Sequence, residues 1–391
     1  MSTTTVPADG HDDLYRSLQQ HLDRMPVPFP PSPSGAELRI LRQLYSPADA
    51  RLALCLSTIP ERPGTIVRRF ERRADVRSAG AAVDRRSIQE SLDSMAERGL
   101  LQRVGVGGRR LYGKTVFVVG FYEAQVNRLT AALQRDVETY ADEAFGESLH
   151  STRTPQLRTV PVNASIPNER VVGRYDDIRA FVRTAEGPFA VMNCICQQGK
   201  DLVGEPCRQT HDREHCLTLG PAARSMVARG DARFITRDEM LGFLDRADRD
   251  GLVVEPQNTR NPLFICCCCG CCCGVLTTAR KLPRPAEFFA ANFVARVHTG
   301  ACHGCGTCVD RCQMAAIDCD GCSARVRAER CIGCGLCVTT CPAAAMGLVP
   351  KPDSRVPPPD TGRLYARMFR ERFGVGGLLS AIVRRVLGLR S

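Results

Sequence analysis

Hydrophobic positions along the chain change period several times, and each change marks a different element. Residues 1–35 hold no sustained period and end near PVPFPPSPSG, a Pro- and Ser-rich run that predicts a flexible, disordered lead-in. From residue 36 apolar side chains recur at helical spacing and predict helices over about 37–45, 48–57 and 63–73. Ser87-x-x-Glu90 has the form of a capping box; Ile88, Leu92 and Met95 follow at helical spacing, and Gly99 supplies a left-handed stop. Leu100–Val104 and Leu111–Val119 then flank Gly105–Arg110 and predict a hairpin with a Gly-rich tip. One helix is expected over 121–147. Pro155, Pro161 and Pro167 punctuate an extended segment, a helix returns over 174–185, and Phe189–Met192 predicts a short strand. KPDSRVPPPD at 351–360 is a Pro-rich linker. The tail beyond it, Leu364–Leu389, is basic and amphipathic: Leu378, Leu379, Ile382, Val383, Val386 and Leu387 are interleaved with Arg384 and Arg385.

These periods predict an α+β multidomain protein divided into a lead-in (1–35), a small domain (36–120), a mixed domain (121–295), a further domain (296–350) and a linker with a tail helix (351–391). Several helices, then a helix, then a basic hairpin is an order that resembles a winged helix–turn–helix domain. The resemblance would set Arg85 and Arg86 at the start of a recognition helix and Arg103, Arg109, Arg110 and Lys114 on the wing, where they suit phosphate contacts with DNA. The same shape also serves dimerisation or protein docking, and docking is the preferred expectation.

Composition alters this picture at one residue type. The chain has 391 residues, 43% of them hydrophobic, and a formal net charge of +11 that suits an anionic partner or simply an Arg-rich composition. Aromatics are 6% and Trp is absent, which predicts an aliphatic core. Cysteine is the outlier, with 22 residues, all but Cys55 beyond position 190. The first residues, MSTTTVPADGHDDL, hold no apolar core for export, and no apolar run reaches the ~18–20 residues that span a bilayer. A cytoplasmic location is therefore expected, and dense cysteines in a reducing compartment imply metal rather than disulfides.

Cys302, Cys305, Cys308 and Cys312 have the spacing C-x2-C-x2-C-x3-C, and Cys331, Cys334, Cys337 and Cys341 repeat it, with Pro342 next. Soft thiolates at this spacing suit iron–sulfur ligation, and the fourth cysteine of each run serves the other cluster. One [4Fe–4S] cluster would take Cys302, Cys305, Cys308 and Cys341; the other would take Cys331, Cys334, Cys337 and Cys312. Gly304, Gly306, Gly333 and Gly335 permit the tight loops. This stretch resembles the bacterial two-cluster ferredoxins, departing from them at Gln313, where the family often has Pro. Cys319 and Cys322, between the halves, are expected to be incidental turn residues.

Eleven more cysteines lie between 194 and 273: Cys194, Cys196, Cys207, Cys216, then Cys266–Cys269 and Cys271–Cys273 in CCCCGCCCG. One buried cysteine is a small hydrophobe, but so many point to metal. Cys194, Cys196, Cys207 and Cys216 are the favoured set for a third [4Fe–4S] cluster or other metal, with the CCCCGCCCG run as alternative ligands or redox thiols. His211 and His215 are expected as solvated loop residues. The arrangement is similar to multidomain ferredoxin-type proteins of anaerobic bacteria. The expected function is single-electron relay through two clusters to or from a partner oxidoreductase. A catalytic oxidoreductase with an extra cluster and a redox-sensing DNA-binding regulator are the alternatives, and the tail is a candidate for peripheral membrane contact.

Overall fold

The computed structural model describes residues 12–73, 84–162, 165, 175–386 and 389. It mixes helices and sheet. Two compact units divide the chain: one takes residues up to 125, 135–148 and those from 369 onward, and the other takes 126–134 and 149–368. Residues 296–350, expected as a domain of their own, thus share one compact unit with the cysteine-rich segment before them.

In the first unit, the stretch expected as a lead-in is folded from residue 12. Helix α1 (Asp12–Leu22) buries Tyr15, Leu18 and Leu22, and Met25, Val27 and Phe29 are buried beyond it. Residues 1–11 lie outside the described residues. Helices α2 (Ala36–Leu44), α3 (Pro47–Ala53) and α4 (Pro63–Glu71) follow near the expected positions. Helix α5 (Arg85–Glu97) starts before the expected capping box. Asp84 is its N-cap, accepting from the Arg86 N–H at 3.0 Å, so Ser87 lies inside the helix. Gly99 ends it at φ 73°, and the Leu100 N–H returns to the Met95 carbonyl at 2.9 Å.

The hairpin of β1 (Gln102–Val106) and β2 (Arg109–Gly113) turns on Gly107 and Gly108, both at positive φ. Its second strand stops at Gly113 instead of reaching Val119, because the Lys114 N–H leaves the ladder for the Ser57 carbonyl at 2.9 Å. Lys114 is buried rather than on a wing surface, its Nζ donating to the His21 carbonyl at 3.1 Å. The helix expected over 121–147 is broken near Asn127, which has φ 64°, and resumes as α6 (Ala131–Tyr140).

The core of this unit is mostly aliphatic, as expected, but it also holds an aromatic cluster that the composition does not predict. Phe29 packs 5.3 Å from Phe117, 5.8 Å from Phe121 and 5.1 Å from Tyr140, measured between ring centroids. Phe117 also meets Phe145 at 5.0 Å in an edge-on pair. Five of the aromatic residues meet in this one cluster, so low average content does not describe the local packing.

The second unit is built on a five-stranded antiparallel sheet in the order β5-β3-β4-β7-β6, with β3 (Phe189–Asn193), β4 (Glu214–Leu219), β5 (Ala232–Ile235), β6 (Val253–Pro256) and β7 (Phe264–Cys268). Helix α7 (Ile178–Thr184) leads into β3. Helix α8 (Ile195–Leu202) follows β3, α9 (Gly220–Ala228) follows β4, and α10 (Arg237–Asp250) precedes β6. Helix α10 opens with a capping box of Thr236 and Glu239 and closes on Gly251 at φ 76°, burying Met240, Phe243, Leu244 and Ala247. Helix α11 (Gly274–Arg280) follows the CCCCGCCCG run. Arg158 and Asp176, both buried, form an ion pair, and Asn292 donates to the same carboxylate. Burial dominates at Asp176 and raises its pKa despite the guanidinium.

The tail is helical as expected. Helix α14 (Thr361–Val386) is kinked at Gly374, with Leu364 and Met368 buried before the kink and Val375, Leu379, Ile382 and Val383 exposed after it. Among the described residues no helix is long and apolar enough to cross a membrane.

Phe29→Ala should destabilise the first unit by about 3–5 kcal/mol, the range for deleting a buried aromatic ring, read as a lowered thermal unfolding midpoint. An unchanged midpoint would remove Phe29 from the core.

Candidate metal centres

Residues 293–350 form two similar halves. Strand β8 (Phe293–Val297) pairs antiparallel with β11 (Met346–Pro350), and β9 (Ile317–Cys319) pairs with β10 (Ala324–Val326). Short helices α12 (Thr307–Arg311) and α13 (Leu336–Thr339) start at Gly306 and Gly335, both left-handed at φ 78°. One pocket is lined by Cys302, Cys305, Cys308 and Cys341, and a second by Cys312, Cys331, Cys334 and Cys337. The fourth cysteine of each run therefore lies in the pocket made by the other run. The reason is local: each short helix carries the last cysteine away from the loop that presents the first three.

Both pockets suit a cluster of soft sulfur ligands. Backbone N–H groups point at cysteine sulfurs at matching places in each half: Ala324 to Cys302 at 3.3 Å, Ala295 to Cys331 at 3.3 Å, Ala316 to Cys312 at 3.2 Å and Ala345 to Cys341 at 3.2 Å. A Cβ on Gly333, at φ 66°, would lie 2.2 Å from the Phe293 carbonyl oxygen, so only glycine fits that turn. The pockets differ in exposure. Cys305 is exposed and Cys302 half-buried, while Cys331 and Cys337 are buried. Backbone N–H groups of Gly304 and Ala324 lower the Cys302 pKa, whereas burial raises those of Cys312, Cys334 and Cys337.

Ten of the eleven earlier cysteines separate into two groups that differ from the favoured set; Cys267, buried opposite Val254, joins neither. Cys207 leaves Cys194, Cys196 and Cys216 and joins Cys269, Cys271 and Cys272, with all four sulfurs within 4.8 Å of one another. Cys207 Sγ is 3.7 Å from Cys269 Sγ and 3.8 Å from Cys271 Sγ, and Cys271 Sγ is 3.6 Å from Cys272 Sγ. A hydrogen bond from Cys269 holds the Cys207 thiol down at about 5, with a thiolate thereby favoured in the group. Cys194, Cys196 and Cys216 instead meet Cys266, Cys268 and Cys273. Spacing along the chain cannot reveal this sorting, because it depends on the pairing of β4 with β7 and on the turn at Gly270.

That turn also explains Gln313. The Gln313 Oε1 accepts from the Gly270 N–H at 2.7 Å, and a Cβ on Gly270 would lie 2.4 Å from the Gln313 carbonyl oxygen. Proline at 313 would have no such acceptor. The residue after Cys312 thus clamps the centre of the CCCCGCCCG run. Cys322 is exposed in a turn whose Asp320 carboxylate accepts from the Cys322 and Ser323 N–H groups, both at 2.8 Å. His211 is exposed, but His215 is buried, its ring nitrogen 3.1 Å from the Asp212 carbonyl, so it is not the solvated residue expected. None of the 22 cysteines is in a disulfide.

Residues 323–346, which include Cys331, Cys334, Cys337 and Cys341, match the family of 4Fe–4S binding domains. The chain carries a 4Fe–4S binding domain. No match is found among curated proteins or among solved structures. The residues around this domain fit the group it implies: four thiols per pocket, N–H donors on the sulfurs and loops closed to any side chain at Gly333.

Gly333→Ala should strip iron from the pocket of Cys331, about four irons per chain for a [4Fe–4S] cluster. Gly300→Ala, where a Cβ meets nothing within 4 Å, should leave the count unchanged. Anaerobic iron analysis of the two variants checks this, and equal counts would remove the steric role of Gly333.

Proposed function

We propose that the chain is an iron–sulfur electron-transfer protein that relays single electrons through two [4Fe–4S] clusters to or from a partner oxidoreductase. One cluster would be held by Cys302, Cys305, Cys308 and Cys341, the other by Cys331, Cys334, Cys337 and Cys312. The observation that carries this reading is the pair of pockets with interleaved cysteine sets. Interleaving ties the two halves into one body and keeps the two redox centres adjacent. When bound, the clusters would supply reversible one-electron chemistry; the chain's own part is to bind and orient them, aim N–H donors at the sulfurs and limit water. The exposed side at Cys305 would be the face for the redox partner, and the buried pocket beside Gln313 would be the inner relay station. As such a carrier the protein would work in the cytoplasm, where thiols stay reduced.

A second reading, a catalytic oxidoreductase fed by this relay, is favoured by the convergence of Cys207, Cys269, Cys271 and Cys272, which offers four sulfurs to a further cluster. The redox-sensing DNA regulator has less support. Arg103 and Arg110 of the hairpin pair with Asp93 at 3.0 and 3.1 Å, Arg85 pairs with Glu71 and Arg86 with Glu90. These contacts compete with phosphate, and Lys114 is buried. The front domain, winged-helix-like in its order of elements, is better suited to docking.

Anaerobically purified protein should be brown, and Cys302→Ala and Cys331→Ala should each remove about four irons and the matching sulfide. The reduced protein should show coupled cluster signals in electron paramagnetic resonance and be reoxidised by a soluble acceptor protein. Colourless material containing zinc but no sulfide would overturn the proposal.

A further inference from the structure

The second group of cysteines lies on one face of the sheet. Cys216 of β4 is directly opposite Cys266 of β7, and Cys266 is opposite Glu255 of β6. Residues opposite each other in antiparallel strands share a face, and Cys268 joins them because alternate residues do so too. Cys194 is the residue that opens α8, Cys196 lies in its first turn, and Cys273 opens α11. Side-chain contacts close a ring through these six: Cys196 to Cys194, Cys194 to Cys216, Cys216 to Cys266, Cys266 to Cys268, Cys268 to Cys273 and Cys273 back to Cys196.

Glu255 supplies an independent observation. It has no exposed surface, neither carboxylate oxygen has a hydrogen-bond partner, and one of its oxygens lies with Cys268 Sγ and Cys273 Sγ within a 4.8 Å group. A buried carboxylate without partners is costly, and a cation beside it would offset that cost. Beside thiol sulfurs it becomes a metal ligand held in waiting.

We propose that Cys194, Cys196, Cys216, Cys266, Cys268 and Cys273, with Glu255 as an oxygen ligand, hold a polynuclear iron–sulfur centre separate from the Cys207 group. The ligand count decides against a single ion: one tetrahedral metal takes four ligands and would leave two thiols and a carboxylate unpartnered in the interior. The donor types exclude copper(I), and the number of ligands then favours a multi-iron centre over zinc. A harder carboxylate oxygen among thiolates disfavours copper(I), while iron accepts both. Six thiolates and one carboxylate together also demand more cationic charge than one divalent ion brings. Binding would release the thiol protons, so loading would weaken as pH falls. The proposal does not rest on the relay: the ferredoxin-type pockets use none of these residues.

The test uses the full chain purified without oxygen, as wild type, as Cys196→Ala/Cys273→Ala and as Glu255→Gln, with iron, zinc and sulfide counted and Mössbauer and paramagnetic resonance spectra recorded. The double variant should lose iron together with sulfide while the signals removed by Cys302→Ala and Cys331→Ala persist. Glu255→Gln, which keeps size and removes charge, should retain the iron and shift the spectrum or midpoint potential of this centre alone. An undiminished iron count in the double variant, or loss of zinc in place of iron, overturns the centre. An unaltered spectrum in Glu255→Gln overturns its ligand role, and that measurement stands even if the double variant fails to fold. Absence of the Cys302- and Cys331-dependent signals from wild type would instead overturn the relay and leave this centre to be judged by its own difference.

Discussion

Thiolates packed within a few ångströms inside a protein repel one another, and burial denies them the water that would otherwise screen the charge. Either most stay protonated or cations of high charge enter among them. The second unit is organised around that constraint. Cys207, Cys269, Cys271 and Cys272 lie within 4.8 Å of one another, and protons alone leave them split between thiol and thiolate, with Cys207 and Cys271 lowered and Cys269 and Cys272 raised. Metal would make the four equivalent. The same need explains Glu255, whose pKa is pushed well up by burial and then by nearby Cys273.

The two pockets of residues 293–350 answer the constraint differently. Their cysteines are spaced around recesses rather than in mutual contact, and backbone N–H groups from Ala295, Ala316, Ala324 and Ala345 face the sulfurs. Partial positive charge is thereby fixed before any cluster arrives, and residual negative charge on the sulfurs is partly offset. The difference in exposure between Cys305 and Cys337 makes the two pockets electrically unequal, so clusters held in them would differ in potential.

The duplicated four-cysteine run is legible in the chain because its geometry is local: loop, short helix and fourth cysteine follow within a few residues. The sorting of the other eleven cysteines is not legible, because Cys207 and Cys216 are close in sequence yet take opposite fates through the pairing of β4 with β7. Glu255 gives no signal in the sequence, since a lone Glu beside two valines and Pro256 looks like any strand residue. Gly99 and the Gly107–Gly108 tip are readable from residue type alone. Phe29 is not: Pro-rich surroundings suggest an open segment, and only contact with Phe117, Phe121 and Tyr140 makes it core.

Gln313 shows how a departure from a family pattern acquires meaning. Proline after the fourth cysteine stiffens an isolated ferredoxin turn, but this chain places a second cysteine-bearing loop against the same turn. The backbone at Gly270 approaches the Gln313 carbonyl so closely that no side chain fits at position 270. The side-chain amide then accepts the Gly270 N–H, which the bend between Cys269 and Cys271 leaves without a strand partner. A single contact therefore joins the turn that carries Cys312 to the loop that carries Cys269, Cys271 and Cys272. Sulfurs on either side of it belong to different cysteine groups, so the residue after Cys312 couples two cysteine-bearing loops that spacing along the chain would leave unrelated.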